Sequence, residues 1–296
     1  MESCMRKIKR RFESGLLRFR GTLSGLSPMS TGTDSEASGS GILGRMPNLC
    51  TVQRLGLVPY AEAWRLQEHL AGQIAKGMSP PTLLLLQHPH VYTFGRGGKA
   101  ANLLWDEAEL ERRGIEVQWV DRGGDVTYHG PGQLVGYPLL PLAPGGLYAG
   151  TKTAEASSYQ NNPPKIDTTG YLRKLEQALI LALTSFGVQG ERLDDKTGVW
   201  LRPAGGEAGT EPAKIAAIGV KVDAQGITRH GFALNVNPDM GYWEGIIACG
   251  LTGFSSASLA DILQLAPEMC KVEQAVIRSF GTVFDYEMLE DEPLEI

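Results

Sequence analysis

The chain has 296 residues, of which 42% are hydrophobic and 37 are glycine. This composition is typical of a globular, loop-rich enzyme and excludes a fibre or a coiled coil. The net charge is −5, and residues 1–30 carry seven Lys or Arg against two Glu, so the rest of the chain is acidic. An acidic body argues against general nucleic-acid binding, and no apolar run approaches the ~20 residues that a membrane span requires.

Residues 1–45 differ from the rest in composition. Basic and apolar side chains interleave over the first twenty residues, acidic ones are scarce, and residues 30–44 are rich in Ser, Gly and Thr. This pattern predicts a mitochondrial transit peptide followed by a linker, and therefore a protein of the mitochondrial matrix. The alternative is a disordered basic tail.

Hydrophobic periodicity predicts one folded domain over residues 46–290, with a polar loop insertion at about 143–168. Helices are predicted at 60–76, 106–114, 171–186, 258–265 and 271–284. Strands are predicted at 51–55, 82–87, 115–119, 133–140, 188–193, 198–201, 214–222 and 227–236. Helices and strands alternate without regular βαβ spacing, which favours an α+β fold with a mixed or antiparallel sheet.

We expect neither a disulfide framework nor a metal site. The four cysteines (Cys4, Cys50, Cys249 and Cys270) show no CxxC or other ligand spacing. His88 and His90 would share one face of a strand, but no third ligand with suitable spacing accompanies them. These cysteines are typical of a reducing, intracellular compartment.

The segment from Arg122 to Leu134 packs glycines, an arginine, a histidine and a proline into one predicted loop. Ordering so many glycines costs backbone entropy, which a plain connector would not require. The segment is not a dinucleotide-binding fingerprint, because the third glycine is one position too far and Pro131 disrupts the helix start. On spacing alone, a binding loop and a tight structural turn are equally good interpretations.

Two isolated residues suggest acyl chemistry. Lys214 opens an almost wholly apolar strand, and Cys249 lies between the small residues Ala248 and Gly250. Each has an ordinary interpretation, since most lysines are solvated and a buried cysteine is usually a small hydrophobic residue. Together with the glycine-rich loop, they favour a covalent acyl transferase.

These segments together resemble the lipoyl (octanoyl) transferases of lipoate biosynthesis over roughly residues 50–285. That family carries an RGG-x-x-T-[YF]-H-GPGQL loop, matched by Arg122 to Leu134, and a K-[IV]-x-x-[IL]-G strand, matched by Lys214 to Gly219. Its HG-x-A-LN-[VI] strand is matched by His230 to Val236. The family also has a PCG turn, where this chain has Ala248 in place of the proline.

The resemblance implies a fold shared with the biotin and lipoate protein ligases, a mixed sheet packed with helices. It implies transfer of octanoyl from acyl carrier protein to a lysine of lipoyl domains, such as those of the glycine cleavage H protein and the 2-oxoacid dehydrogenase E2 subunits. No cofactor of the enzyme's own is expected, because the donor carries the phosphopantetheine. A mitochondrial, eukaryotic member of the family is the expectation that fits the basic N-terminal segment.

The resemblance also assigns roles to residues. Cys249 would be the nucleophile, and Lys214 would stabilise its thiolate and later accept a proton. The acyl slot would be lined by Arg122, Gly123, Gly124, Asp125, Val126, Thr127, Tyr128, His129, Ala217, Ile218, Gly219, Gly231, Phe232 and Ala233. Two alternatives stay open: an ATP-dependent lipoate or biotin protein ligase, and a catalytically degenerate binder of lipoyl domains.

Overall fold

The computed structural model describes residues 48–142, 166–202, 211–248 and 255–290. The strands are β1 (Leu49–Leu57), β2 (Thr82–Gln87), β3 (Val91–Phe94), β4 (Glu116–Trp119), β5 (Val126–His129), β6 (Gln133–Leu139), β7 (Glu191–Leu193), β8 (Lys196–Leu201), β9 (Ala213–Val222), β10 (Thr228–Asn235) and β11 (Glu287–Glu290). The helices are α1 (Tyr60–Ala75), α2 (Glu107–Arg113), α3 (Thr168–Thr184), α4 (Leu259–Leu263) and α5 (Met269–Phe284). Short 3₁₀ helices cover Ala100–Asn102 and Met240–Gly245.

The strands form two sheets. The larger has the order β11-β1-β2-β6-β10-β9-β8-β7, and the smaller has the order β4-β3-β5. In the larger sheet β1 is parallel to both of its neighbours, and all the other pairs are antiparallel. In the smaller sheet β3 is parallel to β4 and antiparallel to β5. The predicted α+β fold with a mixed sheet is therefore confirmed.

The larger sheet is covered by helices on both faces. Leu83 and Leu85 point into a core shared with α3 and α5, whereas Leu84 and Leu86 point into a second core shared with α1. This alternation explains why all four central residues of β2 are leucine, since a strand buried on both faces has no solvent side. Within the described residues, no helix is long and apolar enough to cross a membrane.

Local signals in the sequence explain where several helices begin and end. Asp106 caps α2 by accepting a hydrogen bond from the Glu109 N–H at 2.9 Å, and Gly114 ends the helix in the left-handed conformation. Ser258 and Asp261 form a reciprocal capping box at α4. Glu109 does not complete such a box at α2, because its carboxylate binds Arg112 and Arg113.

Three strands, β3, β5 and β11, were not predicted from the sequence. β5 lies inside the glycine-rich segment that was predicted to be entirely a loop. The predicted transit segment and linker (1–45) and most of the predicted insertion (143–165) lie outside the described residues.

Candidate active site

A pocket that is open to solvent lies between the glycine-rich segment and strands β9 and β10. Two further side chains, Tyr60 at the start of α1 and Tyr137 of β6, complete it. Its lining consists of Tyr60, Arg122, Gly123, Gly124, Asp125, Thr127, His129, Tyr137, Ala217, Ile218, Gly219, His230, Gly231, Phe232 and Ala233.

The structure brings all but two of the predicted slot residues to this cavity. The exceptions are Val126 and Tyr128, which do not line it and instead join the apolar cluster on the other side of the smaller sheet. Alternation along β5 is the reason, since Thr127 and His129 face the cavity and their neighbours must face away.

Arg122 holds the glycine-rich segment against the smaller sheet. Its Nη2 donates to the Thr93 carbonyl oxygen at 2.5 Å and to Thr93 Oγ1 at 2.9 Å, and its Nη1 donates to the Gly123 carbonyl oxygen at 3.0 Å. The side chain is 7% exposed. A guanidinium with this many fixed donors orders the loop around it.

Two glycines of the cavity walls allow close approach of backbone. A Cβ on Gly219 would lie 3.0 Å from the Gly123 carbonyl oxygen and 3.2 Å from Arg122 Cδ, and a Cβ on Gly231 would overlap the Gly136 carbonyl oxygen. Gly124 has φ +85°, which disfavours any residue with a side chain. These three positions therefore have a backbone reason to be glycine.

Both ring nitrogens of His129 make hydrogen bonds, and the ring is neutral. Gln133 Nε2 donates to the Tyr128 carbonyl oxygen and to Asn235 Oδ1, so Gln133 Oε1 must accept the proton of His129 Nδ1, at 2.8 Å. His129 Nε2 then accepts from the Thr93 hydroxyl at 3.4 Å. Burial lowers the pKa of His129 well below its usual value. It therefore orders the wall and is not a free base.

A second polar group stands on the other side of the cavity. The Asp121 carboxylate accepts from His230 Nε2 at 2.7 Å and also binds Lys221 and Arg229. The hydrogen bond from His230, followed by that from Lys221, holds the pKa of Asp121 below its usual value. His230 Nδ1 faces the Tyr60 hydroxyl at 3.3 Å, so that hydroxyl is oriented at the cavity wall.

Asp125 ties the glycine-rich segment to the segment that precedes Cys249. Its carboxylate accepts from the Lys99 N–H at 3.2 Å, from the Val126 N–H at 2.7 Å and from Asn102 Nδ2. The Asn102 carbonyl in turn accepts the Ile247 N–H at 2.9 Å. Asn102 thus connects Asp125 in the cavity wall to Ile247, because it makes a hydrogen bond to each of them.

Lys214 lies on β9 beyond the cavity lining, and a β-bulge turns it to the cavity side. Trp200 pairs with Lys214 and Val199 pairs with Ala216, so Ile215 is the extra residue. Val199 and Ala216 point into the core shared with α3 and α5, which places Lys214 on the opposite face, with Ala217.

Cys249 lies outside the described residues, but the chain on both sides of it is placed. Ala248 packs on the cluster beneath the smaller sheet, and the Ser255 carbonyl accepts the Lys214 N–H at 2.8 Å. Of the other cysteines, Cys50 is buried and Cys270 is exposed. Burial raises the pKa of Cys50 to about 12, which disfavours it as a nucleophile.

The histidines singled out from sequence have local partners. His88 is buried, with Nδ1 2.7 Å from the Val58 carbonyl oxygen and Nε2 2.7 Å from the Tyr137 hydroxyl. His90 stacks on Tyr242. Among the described residues no group of His, Cys, Asp and Glu side chains is arranged to hold a metal ion.

Sequence reasoning did not select Tyr60, Tyr137 or His230 as site residues. His230 belongs to the quoted HG-x-A-LN segment and could have been chosen on that ground. Tyr60 and Tyr137 gave no comparable signal, because each is a single aromatic residue in an apolar element.

Comparison with known proteins shows the family of this chain. A family model for the lipoyl protein ligase A/B catalytic domain matches residues 59–281. An octanoyltransferase of Chloroflexus aggregans is 41% identical over 235 residues, which cover 79% of this chain and 95% of the relative. An octanoyltransferase of Solibacter usitatus is 42% identical over 240 residues, covering 81% and 95%.

Solved structures show the same fold at low identity. A chain from the lipoylation system of Thermoplasma acidophilum, described as a bipartite lipoate protein ligase and its E2 lipoyl domain, matches with a TM-score of 0.59 at 17% identity, covering 83% of this chain and 87% of that one. A lipoate-protein ligase A bound with ATP matches with a TM-score of 0.56, also at 17% identity, covering 83% and 89%. The chain belongs to the lipoyl protein ligase A/B catalytic domain family. Within that family it is an acyltransferase enzyme.

Proposed function

We propose that this enzyme transfers an octanoyl group from octanoyl-acyl carrier protein to a lysine of lipoyl domains, through an acyl-enzyme on Cys249. The observation that carries the proposal is the cavity, around which residues of three separate sequence segments come together. The relatives that share about two fifths of the sequence are octanoyltransferases, which supports octanoyl as the group transferred.

The first half-reaction needs a thiolate. A free thiol with a pKa of ~8.5 is only a few per cent ionised at neutral pH, and a nearby ammonium raises that fraction. The Cys249 thiolate attacks the thioester carbonyl, the carbon–sulfur bond to phosphopantetheine breaks, and the leaving thiolate takes a proton from Lys214. One thioester replaces another, so no ATP is consumed.

The second half-reaction needs a neutral amine. An acceptor lysine with a pKa of ~10.4 is about a thousandth deprotonated near pH 7, so a positioned base matters. The acceptor amine attacks the acyl-enzyme carbonyl, neutral Lys214 takes the amine proton, and the Cys249 thiolate leaves. The amide product, the thiolate and the ammonium restore the starting state of the enzyme.

The partners follow from this chemistry. The donor is octanoyl-acyl carrier protein, which brings its own phosphopantetheine, so the enzyme holds no cofactor. The acceptors are lipoyl domains, for which the glycine cleavage H protein and the 2-oxoacid dehydrogenase E2 subunits are the candidates.

The test is the intact mass of the full chain after incubation with octanoyl-acyl carrier protein without ATP. We expect one octanoyl adduct, lost in Cys249→Ala and retained in Cys270→Ser. An adduct that persists in Cys249→Ala and maps to another cysteine would overturn the assignment of the nucleophile. Transfer that requires ATP would indicate a ligase, and the absence of any adduct and any transfer would indicate a binder.

We further propose that residues 1–45 direct the enzyme to the mitochondrial matrix. Their basic, acid-poor composition supports this proposal. A fluorescent protein fused to residues 1–45 should enter mitochondria, and a version in which the seven basic residues of positions 1–30 are replaced by Gln should not. A cytosolic signal for the unaltered fusion would contradict the proposal.

A further inference from the structure

The cavity has an open mouth and a buried end. Gly124 is exposed and Gly123 is partly exposed, so the glycine-rich segment borders the mouth. The rings of Tyr60, Tyr137 and His230 are each at most 3% exposed, and we call these three rings the floor of the cavity. Because a lysine of another protein can reach only the mouth, the reacting carbonyl of an acyl group must lie there. The far end of the acyl chain then lies toward the floor.

The hydroxyl of Tyr60 is held from behind the floor. The Asp121 carboxylate can only accept a hydrogen bond, and it lies 2.7 Å from His230 Nε2, so that nitrogen carries the ring proton. Burial lowers the pKa of His230, so the ring carries no second proton at neutral pH. His230 Nδ1 therefore accepts the hydroxyl proton of Tyr60 at 3.3 Å. Tyr60 is thus fixed through a carboxylate that does not itself line the cavity.

The backbone of His230 shows how closely this arrangement is determined. His230 has φ +57° within strand β10, a conformation that is uncommon for a residue with a side chain. Its N–H donates to Gln67 Oε1 at 2.7 Å, which binds β10 to α1 at this point. Backbone strain of this kind persists only where the surrounding structure fixes the residue, and it is concentrated at functional sites.

The hydroxyl of Tyr137 is held in the same way. The Val58 carbonyl oxygen can only accept, and it lies 2.7 Å from His88 Nδ1, so His88 Nε2 is left to accept the Tyr137 hydroxyl proton at 2.7 Å. The ring of Tyr60 packs against the ring of His88, with 5.0 Å between the centroids. Neither hydroxyl can move away without leaving a buried imidazole nitrogen unpaired.

This anchoring makes the floor a fixed stop. Leaving a buried polar group unpaired costs about as much free energy as burying two further methylene groups of an acyl chain gains. An acyl chain that is longer by two carbons therefore has no net gain from pushing the floor aside. A floor of aliphatic side chains would behave differently, because such side chains can change rotamer without losing a hydrogen bond.

We propose that Tyr60 is a specificity-determining residue that stops the far end of the acyl chain, and that Asp121 and His230 are positioning residues that hold Tyr60 in place. This inference rests on the proposed function, because it takes the cavity to be the acyl site. It assigns to the site unbranched acyl chains whose greatest length is set by the position of the Tyr60 ring.

The experiment measures kcat/KM of the full chain with octanoyl-, decanoyl- and dodecanoyl-acyl carrier protein as donors and a lipoyl domain as acceptor. Tyr60→Leu opens the floor, so we expect the ratio of decanoyl to octanoyl transfer to rise about tenfold, which is close to the value of two buried methylene groups. Tyr60→Phe keeps the ring but removes its anchor, so the same ratio should rise about threefold.

Asp121→Ala tests the positioning role from outside the cavity lining. It should raise the ratio of decanoyl to octanoyl transfer about threefold, because the His230 ring loses the group that orients it. In a Tyr60→Phe background, Asp121→Ala should raise the ratio no further, because both changes act through the same hydroxyl group.

The matched control is Tyr171→Leu. Tyr171 is a tyrosine of α3 that is also 3% exposed, but it does not line the cavity. This variant should lower the melting temperature and leave the ratio of decanoyl to octanoyl transfer unchanged, which separates the role of Tyr60 from a general loss of packing.

The proposal is overturned if Tyr60→Leu and Tyr60→Phe, both folded, leave the ratio unchanged or alter transfer of all three donors equally. It is also overturned if the effect of Asp121→Ala on the ratio is as large in Tyr60→Phe as in the unaltered chain. Failure of the proposed function would look different, since the unaltered chain would then transfer none of the three acyl groups.

Discussion

The two walls of the cavity are held in place by different interactions. The loop wall, residues 122–129, is held by polar side chains: Arg122 binds Thr93, Asp125 binds Asn102, and His129 binds Gln133. The strand wall, residues 217–219 and 231–233, is held by backbone pairing, with Gly219 opposite Gly231 and Ala217 opposite Ala233.

This difference changes how the motif is understood. Arginine, aspartate and histidine in a loop beside a cavity suggest groups aimed at a substrate. Here many of their polar atoms bind other parts of the wall, and the His129 nitrogens are both engaged. The polar residue types of the loop wall are therefore required for its folding, whereas the strand wall depends on backbone pairing and on close backbone approach at Gly219 and Gly231.

The largest expected effect comes from removing the cation that organises the loop wall. Arg122→Leu leaves the Thr93 and Gly123 carbonyl groups without their charged donor in a buried site. Because hydrogen bonds to charged groups contribute ~1.5–3 kcal/mol each, we expect a loss of about 3 kcal/mol in the free energy of unfolding. Urea unfolding measures it.

The matched change in the strand wall is Ile218→Val, which removes one methylene and should cost ~1 kcal/mol. If the two variants lost equal stability, the distinction between the walls would be wrong.

The next largest effect is the loss of folding stability at low pH, which should be larger for His129 in the loop wall than for His230 next to the strand wall. Burial lowers the pKa of His129 well below its usual value, whereas for His230 the Asp121 carboxylate opposes the lowering by burial. A histidine whose pKa is lower in the folded state binds fewer protons there than in the unfolded state. Stability is therefore constant above the unfolded pKa of ~6.5 and falls as the pH drops toward the folded value.

Between pH 6.5 and 4.5, each strongly shifted histidine should cost about 2 kcal/mol of unfolding free energy. His88, whose pKa burial lowers to about 4, belongs to this group. We expect His129→Gln to flatten the dependence on pH more than His230→Asn does, with exposed His69→Gln as the control. The slope of the unfolding free energy between those pH values, obtained from urea midpoints, measures this difference. Equal slopes for the two variants would contradict the prediction.

Local signals predicted much of this molecule because they act over a few residues. The cap at Asp106, the left-handed Gly114 and the short turn between the predicted strands 214–222 and 227–236 depend on neighbouring residues only, and each is found in the structure. The motif segments predicted most of the residues that line the cavity, but they included the outward-facing Val126 and Tyr128 and did not indicate Tyr60, Tyr137 or His230.

The missed features depend on distant parts of the chain. β3 and β5 are four-residue strands whose ladder pairs residues more than thirty positions apart, and β11 pairs with β1 across nearly the whole domain. The bulge at Ile215 is likewise invisible in sequence, because strict alternation would place Lys214 on the same face as Ala216. Only the pairing with β8 shows that Lys214 faces the cavity side.

The smallest effect expected is also the most specific to the strand wall. Ala217 lines the cavity, and its partner Ala233 does too. Ala217→Val would add two methyl groups at the cavity surface without changing the strand. Because each buried CH₂ of an acyl chain contributes ~0.8 kcal/mol, displacing one or two of them should slow transfer of octanoyl about tenfold and leave acetyl or butyryl nearly unaffected. The ratio of kcat/KM for long and short acyl donors measures this change.

The matched control for Ala217→Val is Ala216→Val, the next residue along β9, which points into the core shared with α3 and α5. It should lower the melting temperature by overpacking and leave the chain-length ratio unchanged. Equal slowing of short and long donors by a folded Ala217→Val variant would show that the acyl chain does not lie against the strand wall. The acyl chain would then be expected beside the loop wall.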